Sequence, residues 1–123
     1  MVDERQPRIV EGRALERDAR RGLPDGVDPA ALADGPVVVR RGTEHVIVVL
    51  RAPSDAAPLA VTTRARDGVV DAVFQPTLRR GPRAAATTWH YVLRLPAAVE
   101  PDAALTVRIV GLGDAVEVAV PAA

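Results

Sequence analysis

Cysteine, lysine and asparagine are all absent from this chain of 123 residues, and aromatic residues make up only 2% of it. Without cysteine there is no disulfide, no thiolate nucleophile and no Cys-based zinc or iron–sulfur centre. Without lysine, all 16 basic residues are Arg; 16 acids balance them to a formal net charge of zero. A neutral chain has no general attraction for nucleic acid or an anionic membrane surface. Three aromatic rings are also too few to stack bases along a strand. The all-Arg usage reads as the coding bias of a GC-rich bacterium. Long apolar runs are missing too: VIVVL at 46–50 falls far short of the ~20 residues that cross a bilayer. The opening MVDERQPR is charged and has no apolar segment of the secretory kind, so a soluble, cytoplasmic protein is expected.

What the chain does have is Val, its commonest large apolar residue by a wide margin. β-branched side chains suit a pleated surface better than a helix, so the core is expected to be built from strands. The length fits one ordinary domain. Residues 1–34 differ in texture from the rest, with six Arg, eight acids and almost no apolar stripe. They read as a charged, irregular and partly helical N-terminal arm. In DPAALADG, Asp28 can cap a short helix, Pro29 fits its first position and Gly35 ends it. RIVEGRAL is open to a second reading, as an edge strand along the main domain.

From residue 35 to 123 the pattern is β. PVVVRR passes through Gly42-Thr43 into EHVIVVLRA, a hairpin whose second strand is apolar on both faces, as a central strand is. Asp67-Gly68 separates LAVTTRAR from VVDAVFQPTLRR and is the dipeptide of a type I′ turn. Leu59, Val61, Thr63 and Ala65 are expected on one face, opposite Val70, Ala72 and Phe74 of the return strand. Pro76 marks that return strand as an edge or a bend. TTWHYVLRLP alternates, with Trp89, Tyr91, Leu93 and Leu95 pointing one way and His90, Val92 and Arg94 the other. LTVRIV, GLGD and AVEVAVP make a last hairpin. About seven strands follow, and the fold class is all-β, an antiparallel β-sandwich. In VVVRRGTEHVIVVL, TWHYVLRLP and the closing LTVRIV and VEVAV pair, the chain resembles a bacterial immunoglobulin-like or fibronectin type III-like domain. The resemblance covers about 85 residues and is one of fold; the inter-sheet disulfide of antibody domains has no counterpart here.

No cofactor or metal site is spelled out. His45 and His90 are the only imidazoles, without the HxH or HxxxH spacing that fixes two ligands on one ion. An enzyme centred on His45 and His90 requires both to converge with a carboxylate such as Asp71 or Glu117. Ser54 is the only serine and lies in a turn, RAPSDAAP, rather than a nucleophile elbow. The Arg clusters carry more weight. Arg79, Arg80 and Arg83 surround Gly81-Pro82, while Arg40-Arg41 and Arg64/Arg66 lie on strands or turns. Converging guanidinium groups bind a carboxylate, a phosphate or an acidic partner bidentately, so Arg79, Arg80 and Arg83 are the candidate partner or anion site. Trp89 and Tyr91 have two competing readings, a stacking platform for a flat ligand such as a sugar, or a core pin. Their phase with Leu93 and Leu95 favours the core, with Trp89 inside it as the pin. The function expected is a non-catalytic interaction or accessory module that binds a protein partner or itself. A small-ligand or carbohydrate-binding sandwich is the alternative.

Overall fold

The computed structural model describes residues 10–13, 19–77, 85–97, 99–100 and 103–121. Nine strands among them form two sheets: β1 (Val10–Arg13), β2 (Arg20–Arg21), β3 (Val37–Arg41), β4 (His45–Pro53), β5 (Leu59–Arg66), β6 (Val69–Gln75), β7 (Ala86–Arg94), β8 (Leu105–Val110) and β9 (Val116–Val120). The five-stranded sheet has the order β1-β5-β6-β8-β9 and the four-stranded sheet β2-β7-β4-β3. Neither closes into a barrel. The chain is all-β, and no helix among the described residues is long and apolar enough to cross a membrane.

Turn chemistry sets the local hairpins. Asp67 and Gly68 have φ of 50° and 78°, the pair of positive values that a type I′ turn requires. Gly111 opens the β8–β9 turn at φ 98°, and a Cβ there would lie 1.9 Å from the Phe74 carbonyl oxygen. The end of β6 and this turn therefore touch backbone to backbone. The expected short helix is a single 3₁₀ segment, Pro29–Asp34, with the Asp28 carboxylate accepting from the Ala30 N–H.

Between the sheets, Val46, Val48, Leu50, Tyr91 and Leu93 of the four-stranded sheet meet Val70, Ala72, Phe74, Val107 and Ile109 of the five-stranded one. Tyr91 stands at the centre. Its ring meets Phe74 edge to face at 4.9 Å, and its hydroxyl donates to the Pro58 carbonyl at 2.6 Å. Burial pushes the phenol above its usual range. Buried Thr63 crosses the gap, its hydroxyl donating to the Arg94 carbonyl at 2.8 Å.

Four expectations need correction. First, β6 and β8 run parallel, so the sandwich is not wholly antiparallel. The chain leaves the five-stranded sheet after β6, reverses through β7 in the other sheet, and returns in its original direction. Second, β6 is an interior strand that ends at Gln75, so Pro76 terminates it rather than marking an edge. Third, a bulge between Ala60 and Thr62 splits the expected face of β5. The extra residue flips the alternation: Ala60, Thr63 and Ala65 turn inward, while Leu59 and Val61 are 47% and 46% exposed. Fourth, the central ring is Tyr91; Trp89 is half-buried at the margin, packed against the core's rim.

The arm contributes an outer strand to each sheet: β1 pairs with β5, and β2 pairs with β7. The edge-strand reading of RIVEGRAL holds for Val10–Arg13. Because β2 and β3 occupy opposite margins of the four-stranded sheet, residues 22–36 must cross β7 and β4 to join them. They cross on the outer face. Val49 and Val92 alternate away from the core, yet are 0% and 3% exposed.

Candidate functional site

Strand register decides which charged side chains share a face, because residues directly opposite in a ladder point the same way. On the outer face of the five-stranded sheet, Arg64 is opposite Asp71, Asp71 opposite Arg108, and Arg108 opposite Glu117. Acid and base alternate across β5, β6, β8 and β9. The Arg108 Nε donates to Asp71 Oδ1 at 3.0 Å in the middle of this row. These arginines are matched by acids.

The four-stranded sheet is different. On its outer face Arg41 is opposite His45, and His45 opposite Arg94. Three strands thus place two guanidiniums and an imidazole in one row, with no acid in register among the described residues. Arg41 and Arg94 are exposed, and neither side chain has an ion pair or hydrogen bond among the described residues. The next row inward is apolar: Val39, Ile47 and Val92. Val39 and Ile47 are partly exposed there. A cleft of about 500 Å³ lies over this row, walled by Leu23, Pro24 and Asp25 of the crossing segment and by Arg20, Arg41 and His90. The His90 Nδ1 lies 2.8 Å from the Gly22 carbonyl. A carbonyl only accepts, so Nδ1 carries the proton and Nε2 is the acceptor in the neutral ring.

The two members of the Arg40-Arg41 pair part company, since Arg40 is in register with buried Val46 and Arg41 with His45. The Arg40 Nη2 donates to the Ala103 carbonyl, while its buried Nε and Nη1 have no acceptor among the described residues. Arg66 is exposed at the Asp67-Gly68 turn, on the other sheet from Arg41. Arg79, Arg80 and Arg83 lie outside the described residues.

His45 and His90 are not brought together. His45 is opposite Arg94 and His90 opposite Val49, four residues away along β7, or ~13 Å at strand rise. Asp71 and Glu117 are on the other sheet. No group of three His, Asp or Glu suited to a metal occurs among the described residues. Ser54 is held in its turn, its N–H donating to the Ala85 carbonyl and its own carbonyl accepting from the Arg21 Nη2.

Tyr91 is wholly buried and offers no face to a ligand. The Trp89 ring is covered by the Arg21 guanidinium at 5.1 Å, and its buried Nε1 has no acceptor among the described residues. A second cleft of about 500 Å³ lies at the end of the sandwich, between the Asp67-Gly68 turn and Val99, Glu100 and Leu105. No aromatic ring lines it. Sequence periodicity pointed to none of the outer-face rows, because each is assembled from residues on separate strands.

No family model matches the chain, and no curated protein and no solved structure matches it significantly.

Proposed function

We propose that this protein is a non-catalytic interaction module that docks an acidic protein partner on the outer face of its four-stranded sheet. The observation that carries the reading is the contrast between the two outer faces. Arg64 and Arg108 of the five-stranded sheet are matched by acids on the neighbouring strands, while the Arg41–His45–Arg94 row has no acid in register among the described residues. Interfaces favour Arg beside apolar contact area, and Val39 and Ile47 supply that area in the adjoining row. The body strands β3–β9 divide four and three between the sheets, as in an immunoglobulin constant-type sandwich, with the parallel β6–β8 pair as the departure.

The test uses the whole protein and labelled poly-L-glutamate at low salt. Binding is expected, weakening as ionic strength rises. The double change Arg41→Glu with Arg94→Glu is expected to abolish it, with the melting temperature unchanged. Reversal of Arg66, exposed on the other sheet, is expected to leave it intact. Equal loss from either reversal would reduce the effect to net charge and overturn the reading.

The end cleft beside Asp67-Gly68 supports a second reading, a small-ligand module. Its walls mix Val70, Val99 and Leu105 with Arg66, Asp67 and Glu100. With no ring present, any ligand there is held by apolar contact and charge rather than by stacking.

A further inference from the structure

The chain already shows how a peptide lies on this face. Residues 22–36, GLPDGVDPAALADGP, contain three acids and no base, with Leu23, Pro24, Val27 and Leu32 between them. This segment crosses a face whose side chains include Arg20, Arg41 and Arg94 as well as His45 and His90. The Gly22 N–H donates to the Thr88 carbonyl at 2.8 Å and anchors its start. Leu23 and Pro24 are half-buried on the cleft wall while Asp25, beside them, stays exposed. Under the segment, Val49 and Val92 are buried; beyond it, Val39 and Ile47 remain partly open and Arg41 and Arg94 are exposed.

Resting on the docking reading above, we infer that the open half of this face binds an extended acidic peptide with aliphatic side chains between its carboxylates, the same make-up as the crossing segment. Carboxylates engage Arg41 and Arg94, where guanidinium forks give paired, charge-assisted hydrogen bonds. An aliphatic side chain of the Leu or Val kind enters the cleft over Val39 and Ile47. The two rows lie next to each other on the same three strands, so both contacts fall within a few residues of one extended peptide. In a short peptide, unlike a polyanion with many carboxylates, neither contact suffices alone. Exposed charge pairs are weak in water, and a single aliphatic side chain gives little selectivity.

The experiment measures anisotropy of a fluorescein-labelled peptide of alternating Asp and Leu with the whole protein. Two control peptides carry Asn for every Asp or Ser for every Leu. Each control is expected to bind about tenfold more weakly or worse. Arg41→Ala with Arg94→Ala is expected to lower affinity for the Asp–Leu peptide by at least about tenfold. Ile47→Asn is expected to weaken that peptide while leaving poly-L-glutamate binding unchanged; as Ile47 is partly exposed, circular dichroism checks that this variant folds. Equal affinity for the Asp–Leu and Asp–Ser peptides, or no effect of Ile47→Asn, overturns the inference but leaves an acidic docking face. Failure of poly-L-glutamate to bind overturns that face as well. A dimer by sedimentation whose dissociation on dilution raises peptide binding would make a second copy the occupant, and overturns the inference too.

Discussion

Arg108 donates its Nε–H to Asp71 Oδ1 at 3.0 Å, across the parallel pair β6–β8. The same carboxylate is in register with Arg64 on its other side. Asp71 therefore separates two guanidiniums in the middle of the sheet. Asp71→Ala leaves them facing each other over a gap, and a stability loss of roughly 1.5–3 kcal/mol is expected. Glu117, at the exposed end of the row, is expected to cost about 0–1 kcal/mol when changed to Ala. Denaturant melts of the two variants give the comparison, and equal losses would show that the row acts without a centre.

Tyr91 and Trp89 are expected to rank oppositely to their sizes. Tyr91→Ala empties the middle of the core and should cost about 3–5 kcal/mol. Tyr91→Phe keeps the ring against Phe74 but leaves the Pro58 carbonyl without its donor, about 1–2 kcal/mol. Trp89→Ala removes a half-buried ring and its stacking with Arg21, and should cost less than Tyr91→Ala. Thermal melts of the three variants decide the order.

Alkaline pH gives a test specific to Tyr91. Burial holds its phenol above the ordinary value of 10.0. The unfolded chain gives up this proton near that value, whereas the folded chain keeps it. The stability linked to the raised value is thus complete below about pH 10 and is lost as pH rises above it. With no Lys, no Cys and a single Tyr, no other side chain titrates in that window. Urea midpoints should fall as the pH is raised through it, in step with tyrosinate absorbance, and should stay flatter in Tyr91→Phe.

Gly111 and Gly113 make a matched pair in one turn. Both have positive φ, 98° and 97°, so Ala brings similar backbone strain to each, of about 1–2 kcal/mol. Only at Gly111 does the new methyl meet a backbone atom, the Phe74 carbonyl oxygen. Gly111→Ala is expected to lower the melting temperature well beyond Gly113→Ala, because β6 and the turn must move apart. Equal shifts would mean that the contact yields easily.

Truncation separates the two parts of the arm. Removing residues 1–18 takes away β1 and should leave a cooperative melt. Removing 1–34 also strips the segment that covers Val49 and Val92, and should give a less stable protein that binds the dye ANS. If both truncations melt alike, the covering segment contributes little, and the arm is separable as its composition first suggests.

Much of the fold is legible in the sequence where the signal is local. Asp67-Gly68 and Gly42-Thr43 mark their hairpins because turn conformation depends on adjacent residues, and Asp28 caps its 3₁₀ segment for the same reason. The apolar phase of Val70, Ala72 and Phe74 is equally plain. The bulge after Ala60 is not, since LAVTTRAR alternates without a break and only the pairing with β6 shows the extra residue. Nor does any stretch reveal that Arg64, Asp71, Arg108 and Glu117 form one row, or that Arg41, His45 and Arg94 form another. Periodicity gives the face of a residue; its neighbours come from long-range pairing. Size and phase put Trp89 inside the core, but it packs at the core's rim beneath the guanidinium of Arg21, which belongs to the outer strand β2.

The parallel pair β6–β8 also bears on how the chain reaches its native state. These strands cannot zip from a turn, because the connection between them contains β7, which belongs to the opposite sheet. Before Asp71 can meet Arg108, both ends of a long loop must close, and that entropy is lost before the contacts repay it. The hairpins β3–β4, β5–β6 and β8–β9 can form early and independently, whereas joining β6 to β8, like joining β4 to β7, is a later, nonlocal event. Such topologies fold in milliseconds to seconds rather than microseconds. Until β8 arrives, the inner margin of β6 is an unpaired strand edge, open to the wrong partner at high concentration.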